Sequence, residues 1–440
     1  MDLQEKTIQL LNNHSLCNYC LGRQFSNLAT GTTNFIRGES IKMFLVMNFS
    51  KRITDDSINF LQALCKSDSE HAKMVLSKIK IIPKEKEMCF ICKNSLQRID
   101  ELAENLSLKL NSIEFSTFLI GTLMPQELFE KEHNLKAKYD LHQSEYLKQE
   151  FNREVGKKLS RKMSVETNFN EPEIIAEIQP FSDSLKLKVR SLYIYGRYLK
   201  HLRTIPQTRW PCRKCKGKGC KECSNTGKQY SESVEELVEA EAIKIAQGDK
   251  GVLHGSGRED IDARMLGTGR PFVLEIVSPK IRSIDLLKLE KATNEYGKGK
   301  IEVRDYRWSS KKELVYLKGN AEESVKKYRA FVTLSSSISE ETLKKLDSYF
   351  KDITIKQRTP TRVSHRRADK IRKKEVYSIQ SRKINNQEIE LTIECEGGCY
   401  VKELISGDDN RTIPSVSEVI GIQANCKELD VLEIRDKPFV

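Results

Sequence analysis

The sequence predicts an α/β (α+β) chain built from several domains. Three observations carry that prediction. Strand-like runs and amphipathic helical segments alternate from about residue 111 onward. The 440 residues give two or three domains enough chain for separate cores. Eight of the 12 cysteines fall into four Cys-x-x-Cys pairs, which marks segments held together by metal.

Composition narrows the class. Lys and Arg total 75 against 62 acidic residues, a net charge of +13. That excess favours a polyanionic partner, because neutralised phosphates release their counterions; charge alone does not say which polyanion. The best apolar run, Met43 to Met47, is far below the roughly 18 residues of a membrane span. The opening Met-Asp-Leu-Gln-Glu-Lys lacks the basic-then-apolar order of a signal peptide. The expected location is the cytoplasm, where paired cysteines bind metal rather than form disulfides.

Residues 1–110 read as helical and hold the pairs Cys17/Cys20 and Cys89/Cys92. Each pair sits on a tight turn that can aim both sulfurs at one zinc, so the metal would staple distant segments. Independent buried cysteines are the competing reading, and a redox pair lacks a thioredoxin-like strand-to-helix setting. Cys65, Cys395, Cys399 and Cys426 stand alone and read as small buried hydrophobes.

In 111–205, Phe115 to Leu123 reads as a strand and Leu141 to Met163 as a basic helix, with Ile174 to Ile178 and Leu185 to Val189 as paired strands. Tyr193, Tyr195 and Tyr198 follow among basic residues, able to stack on RNA or to cover a sheet face. Residues 206–230 form a Cys-rich connector in which Cys212, Cys215, Cys220 and Cys223 make two knuckles with glycines at the turns. The knuckles are close together for one ion, and a hinge without metal is the alternative. Lys214, Lys216, Lys218 and Lys221 would make a metal-bound form a basic knob. The last domain, 231–440, opens on a helix with a Ser233-to-Glu236 cap and an apolar face of Val234, Leu237, Val238, Ala242 and Ile245.

Chemistry concentrates in that domain. From His254 to Ile276 a glycine-flexible turn (Gly255, Gly257) leads into a buried strand, Phe272 to Val277. Arg258, Glu259, Asp260 and Asp262 crowd between them, with Arg264 and Arg270 close behind. Such charges need partners or a ligand, since burying one alone costs several kcal/mol. A surface loop with local salt bridges is the bland reading; three arginines and close-approach glycines suit an anionic ligand. Further on, Lys326-x-Tyr328-x-Ala330 opens a strand that would put Tyr328 and Ala330 on one face. Lys356 to Lys374 carries nine basic residues against Asp369 alone, a run that repels itself unless phosphates neutralise it. A hairpin at Asn385–Asn386 then leads to Gly398-Cys399-Tyr400-Val401-Lys402 beside a short helix whose N-terminus favours anions.

These strings resemble a family. Gly257-Arg258-Glu259-Asp260 is similar to the Gly-Arg-x-Asp element of tRNA pseudouridine synthases. Its extension through Asp262, Arg264, Leu266-Gly267 and Gly269-Arg270-Pro271-Phe272 resembles the archaeal and eukaryotic synthase of the tRNA TΨC arm. The resemblance implies a mixed-sheet pseudouridine-synthase catalytic domain behind a zinc-binding, THUMP-type RNA-binding module; the strand–helix order and Tyr195-Gly196-Arg197-Tyr198 are also THUMP-like. It implies that Asp260 is the nucleophile, that Arg258 helps displace the target base, and that Lys402 pairs with Asp260. Tyr328 and Tyr400 would line the substrate site, and Arg362, His365, Arg366 and Arg367 would meet the tRNA backbone. Cys399 stands where the family usually has a small polar residue. The implied reaction isomerises the uridines at positions 54 and 55, with structural zinc but no organic cofactor and no catalytic metal. The expected partner is tRNA, with neither a membrane nor an obligate protein partner. A noncatalytic zinc-dependent RNA binder would leave the three motifs unexplained. A THUMP-containing methyltransferase would need a glycine-rich cofactor loop, which is not found.

Overall fold

The computed structural model describes residues 3–142, 144–182, 184–436 and 439; the side chain of Arg366 lies outside that description. The chain divides into two units, Met1–Arg190 and Ser191–Val440.

In the first unit, five α-helices of nine or more residues precede a small sheet. Three of them start at a side-chain cap: Thr33 accepts from the Ile36 N–H, Ser69 from the Ala72 N–H, and Thr54 and Ser57 cap each other reciprocally. The sheet contains β1 (Thr117–Thr122), β2 (Glu166–Thr167), β3 (Ile174–Gln179) and β4 (Ser184–Val189), in the order β2-β1-β3-β4. β1 runs parallel to β2 and β3, while β4 closes on β3 antiparallel. The helix Leu147–Met163 buries Phe151, Val155 and Leu159 and packs on β1 and on the helix Ile99–Leu110. It starts six residues later than the apolar pattern from Leu141 predicts, because the Gln149 side chain turns back to accept from the Tyr146 N–H. Arg23 and Glu132 form an ion pair in the core, and Glu132 also accepts from the Leu147 N–H, so the two charges leave no orphan carboxylate.

The second unit is built on one ten-stranded mixed sheet. Its strands are β5 (Leu192–Lys200), β6 (Lys250–Gly255), β7 (Ala263–Val277), β8 (Ile301–Trp308), β9 (Val325–Leu334), β10 (Lys351–Arg358), β11 (Ile371–Lys383), β12 (Glu388–Glu396), β13 (Thr412–Ile413) and β14 (Ala424–Arg435). The order is β13-β10-β11-β12-β9-β14-β7-β5-β8, with β6 also paired to β7. All pairs are antiparallel except β14 with β7. β5, grouped with the preceding module on sequence, pairs instead with β7 and β8. Its apolar residues Leu192, Ile194 and Tyr198 belong to this unit's core, which is where their burial is satisfied. The connector and its four cysteines lie in this unit too. Ser233 caps the helix Val234–Ala246 by accepting from the Glu236 N–H, and the helix buries Val234, Leu237, Val238, Ala242 and Ala246. No helix among the described residues is long and apolar enough to cross a membrane.

Candidate active site

The loop between β6 and β7 carries the acidic group. Gly257 takes φ +75° there, a conformation that favours glycine, and a Cβ would stand 3.2 Å from the Arg270 Nη1 and the Lys326 Nζ. Beneath the loop lies a network of buried polar side chains. Glu259 accepts from the Tyr198 hydroxyl at 2.8 Å and from the Arg270 Nε at 2.8 Å. Gln207 donates to the Tyr198 oxygen at 2.8 Å and to the Gly257 carbonyl at 3.0 Å. Lys200, fully buried, donates to the carbonyls of Ile205, Asp260 and Ile261 at 3.0, 3.3 and 2.9 Å. The loop backbone is therefore clamped, while the Asp260 side chain projects into a cavity.

That cavity has a volume of about 600 Å³. Arg258, Asp260, Tyr328, Arg362, Arg367, Tyr400 and Lys402 all line it, so seven of the nine side chains selected from sequence as catalytic or substrate-binding converge. His365 is exposed and does not line it. Arg366 is the ninth, and its side chain lies outside the described residues.

Two cations meet Asp260. The Arg362 Nη1 is 3.0 Å from Oδ2 and 3.1 Å from Oδ1. The Lys402 Nζ is 3.6 Å from Asp260 and 2.7 Å from Asp262. Burial resists ionisation of Asp262, yet the hydrogen bond and charge of Lys402 win and hold its carboxyl below its ordinary range. Arg362 is fixed from behind by Glu403, 2.6 Å from its Nε. Tyr400, just ahead of the helix Val401–Ser406, is held through its backbone by the buried Gln357, which accepts from its N–H at 2.9 Å and donates to its carbonyl at 3.0 Å. Arg367 donates to the Tyr400 hydroxyl at 3.0 Å.

β9 presents alternate residues to the inside, so Lys326, Tyr328 and Ala330 share the buried face. Burial drives the Tyr328 phenol well above its ordinary range, which keeps the ring neutral against the cavity. Lys326 is also buried; desolvation first, then the charge of Arg270, pull its ammonium down to about 8.

Two arginines expected to serve a ligand are paired with carboxylates of the protein instead, Arg270 buried and Arg264 partly exposed. Arg270 is paired with Glu259 in the core. Arg264 makes a two-pronged pair with Asp430, at 2.9 Å on each prong, and Asp430 also receives Arg203 and Arg329. These pairs form because β14 runs beside β7 and β9, a juxtaposition invisible in the local sequence. Lys200 was legible: in β5 it lies in phase with Ile194 and Tyr198 on the buried face. Gln357 carried the same signal, in phase with Ile353 and Ile355 in β10, whereas Glu403 carried none.

Among the described residues, two sets of four cysteines bring their sulfurs within 4.8 Å of one another. In the first, the Cys17 and Cys92 sulfurs are 3.6 Å apart. In the second, Cys212–Cys220, Cys215–Cys223 and Cys220–Cys223 are 3.9, 3.8 and 3.7 Å apart. Four thiolates around one tetrahedral ion at about 2.3 Å would stand about 3.8 Å apart, so both sets fit a metal ion. Backbone N–H groups of Gly219, Cys220 and Gly227 reach sulfurs of the second set at 3.2 Å. The two knuckles, close in sequence, thus converge on one point.

Residues 193–435 match the family model described as Pus10, C-terminal, and residues 102–179 match Pus10 THUMP domain, archaeal. The chain is 41% identical over 439 residues to the tRNA pseudouridine synthase Pus10 of Methanothrix thermoacetophila, covering 99% of this chain and 95% of that one. It is 40% identical over 439 residues to the tRNA pseudouridine synthase Pus10 of Methanocaldococcus jannaschii, covering 97% and 94%. Among solved structures, a Cbf5–Nop10–Gar1 complex aligns over 46% of this chain and 45% of that chain, at 18% identity and a TM-score of 0.29.

Proposed function

The chain belongs to the Pus10 family of tRNA pseudouridine synthases, and on that footing we propose that it isomerises uridines 54 and 55 of the tRNA TΨC loop through Asp260. It is an isomerase that acts on tRNA. The observation that supports the assignment of Asp260 is convergence: Arg258, Asp260, Tyr328, Tyr400 and Lys402 come from three separate stretches of chain and line one cavity.

The proposed chemistry gives each of these residues a part. The N1–C1′ bond of uridine breaks as an Asp260 carboxylate oxygen bonds to C1′, the base turns, and C5 bonds to C1′ as that ester bond breaks; C5 then gives its proton to water and N1 takes one up, so the product is an isomer of the substrate. Asp260 is the carboxylate that acts on the sugar, as nucleophile, with Arg362 and Lys402 complementing its charge. Tyr328 and Tyr400 offer aromatic walls to the freed base. A uridine stacked in the loop must first be extruded, at a cost of a few kcal/mol. Arg258, exposed and lining the cavity, would fill the gap left behind. Arg362, His365, Arg366 and Arg367 are the proposed tRNA contacts. Both four-cysteine sets would hold structural zinc, a thiolate-seeking ion with no role in bond breaking here. The proposed site of action is the cytoplasm.

The test is to incubate the purified protein with an unmodified tRNA transcript and map pseudouridine by position. Product at 54 and 55, lost position by position when either uridine is replaced by cytidine, is expected. Product confined to other loops would overturn the assignment to the TΨC arm.

A further inference from the structure

Arg258 does more than face the reaction cavity. Its guanidinium carbon lies 4.9 Å over the ring of Trp210. Trp210 is fixed from both ends of the cysteine knuckle: its carbonyl accepts from the Gln229 N–H at 3.0 Å, Pro211 bridges to Lys228, and the Cys212 N–H meets the Gly227 carbonyl at 2.7 Å. The Tyr230 ring packs edge-on against it at 5.7 Å. On the Trp210 side of the Asp260 loop lies a second hollow, of about 260 Å³. Trp210, Arg258, Asp260, Asp262, Arg362 and Lys402 line it. Arg258, Asp260, Arg362 and Lys402 line the reaction cavity as well, so the two hollows share a wall.

We propose that this second hollow is a nucleotide subsite in which the base adjoining the target uridine stacks on Trp210. The proposal rests on the function given above. Neighbouring nucleotides share one phosphate, so a target uridine drawn into the reaction cavity brings its neighbour to the common wall. That neighbour has lost a stacking partner, and an indole face replaces it without demanding a particular base. The linking phosphate then falls among Arg258, Arg362 and Lys402. The incoming base exchanges with the Arg258 guanidinium on the indole, which turns Arg258 toward the RNA as the target leaves its stack. The knuckle is thereby part of the substrate site, because it sets where Trp210 stands.

The chain has two tryptophans. Trp308→Phe therefore leaves Trp210 as the single indole reporter. This protein is titrated with an unmodified TΨC stem-loop RNA, and with RNAs that are abasic at one or the other neighbour of the target uridine. Quenching of Trp210 by intact RNA is expected, with one abasic RNA abolishing it and binding roughly tenfold more weakly. Trp210→Phe should keep the preference for intact over abasic RNA, and Trp210→Ala should erase it. No quenching at saturating intact RNA, or quenching that survives in both abasic RNAs, would overturn the subsite. Pseudouridine is measured in the same samples. Product without quenching removes the subsite and leaves the activity standing, whereas absence of product removes the activity on which the subsite depends.

Discussion

Lys402 is shared unequally between two carboxylates, 2.7 Å from Asp262 and 3.6 Å from Asp260. Asp262 therefore restrains the ammonium that would complement the nucleophile. Lys402→Met should lower the single-turnover rate by roughly 10²-fold or more with little change in tRNA affinity, as for a group used mainly in the transition state. Asp262→Asn frees Lys402 and should leave that rate within a few-fold; an equal loss in both variants would make Asp262 a partner in the chemistry. Lys326 adds a pH dependence. Burial lowers its folded pKa to about 8 from 10.5, so the unfolded chain holds more protons between those values. Stability gained from this group accordingly rises with pH across the window of 8 to 10.5, and below 8 the buried charge costs its full amount, about 3 kcal/mol. Lys326→Met should raise the thermal transition by several degrees at pH 6.5, and the gain should shrink near pH 10. The same gain at both pH values would show that charge burial is not its cause.

At the scale of elements, the segment between β10 and β11 is where the basic run is sorted. Arg358 pairs with Asp369, Lys374 with Glu396, and Arg362 with Glu403 and Asp260. Arg367, exposed and touching the Tyr400 hydroxyl, pairs with no carboxylate among the described residues and suits a phosphate. Arg367→Ala should weaken tRNA binding several-fold and reduce the slope of log affinity against log salt by about one; an unchanged slope would remove the phosphate contact. The uniform charge of the run hid this division, because Glu396 and Glu403 reach it only after β11 and β12 fold back. Alternation within one strand was readable, and it put Tyr328 and Ala330 on one face. The capped helix from Ser233 was readable for the same reason: its signals lie within one turn. Arg264 was not, since Asp430 lies 166 residues away and only the parallel pairing of β7 with β14 joins them. The start of the second unit at Ser191 was likewise hidden, because an alternating strand does not announce which sheet it will join.

For the molecule as a whole, each of the two units carries one set of four converging cysteines among the described residues. Purified protein should hold two zinc ions per chain. Cys89→Ser with Cys92→Ser should reduce that to one and destabilise the first unit, in which those cysteines join helices from both ends of its helical part; two zinc ions in this variant would refute the assignment. The net charge of +13 should make tRNA binding fall steeply with salt in every variant that keeps its fold. Catalysis is the sharper question. The most direct measurement compares the wild-type protein with Asp260→Asn on one unmodified tRNA, recording pseudouridine formation and dissociation constant together. The geometry predicts no product from Asp260→Asn and an affinity within a few-fold of wild type. Product at the wild-type rate would contradict Asp260 as the nucleophile.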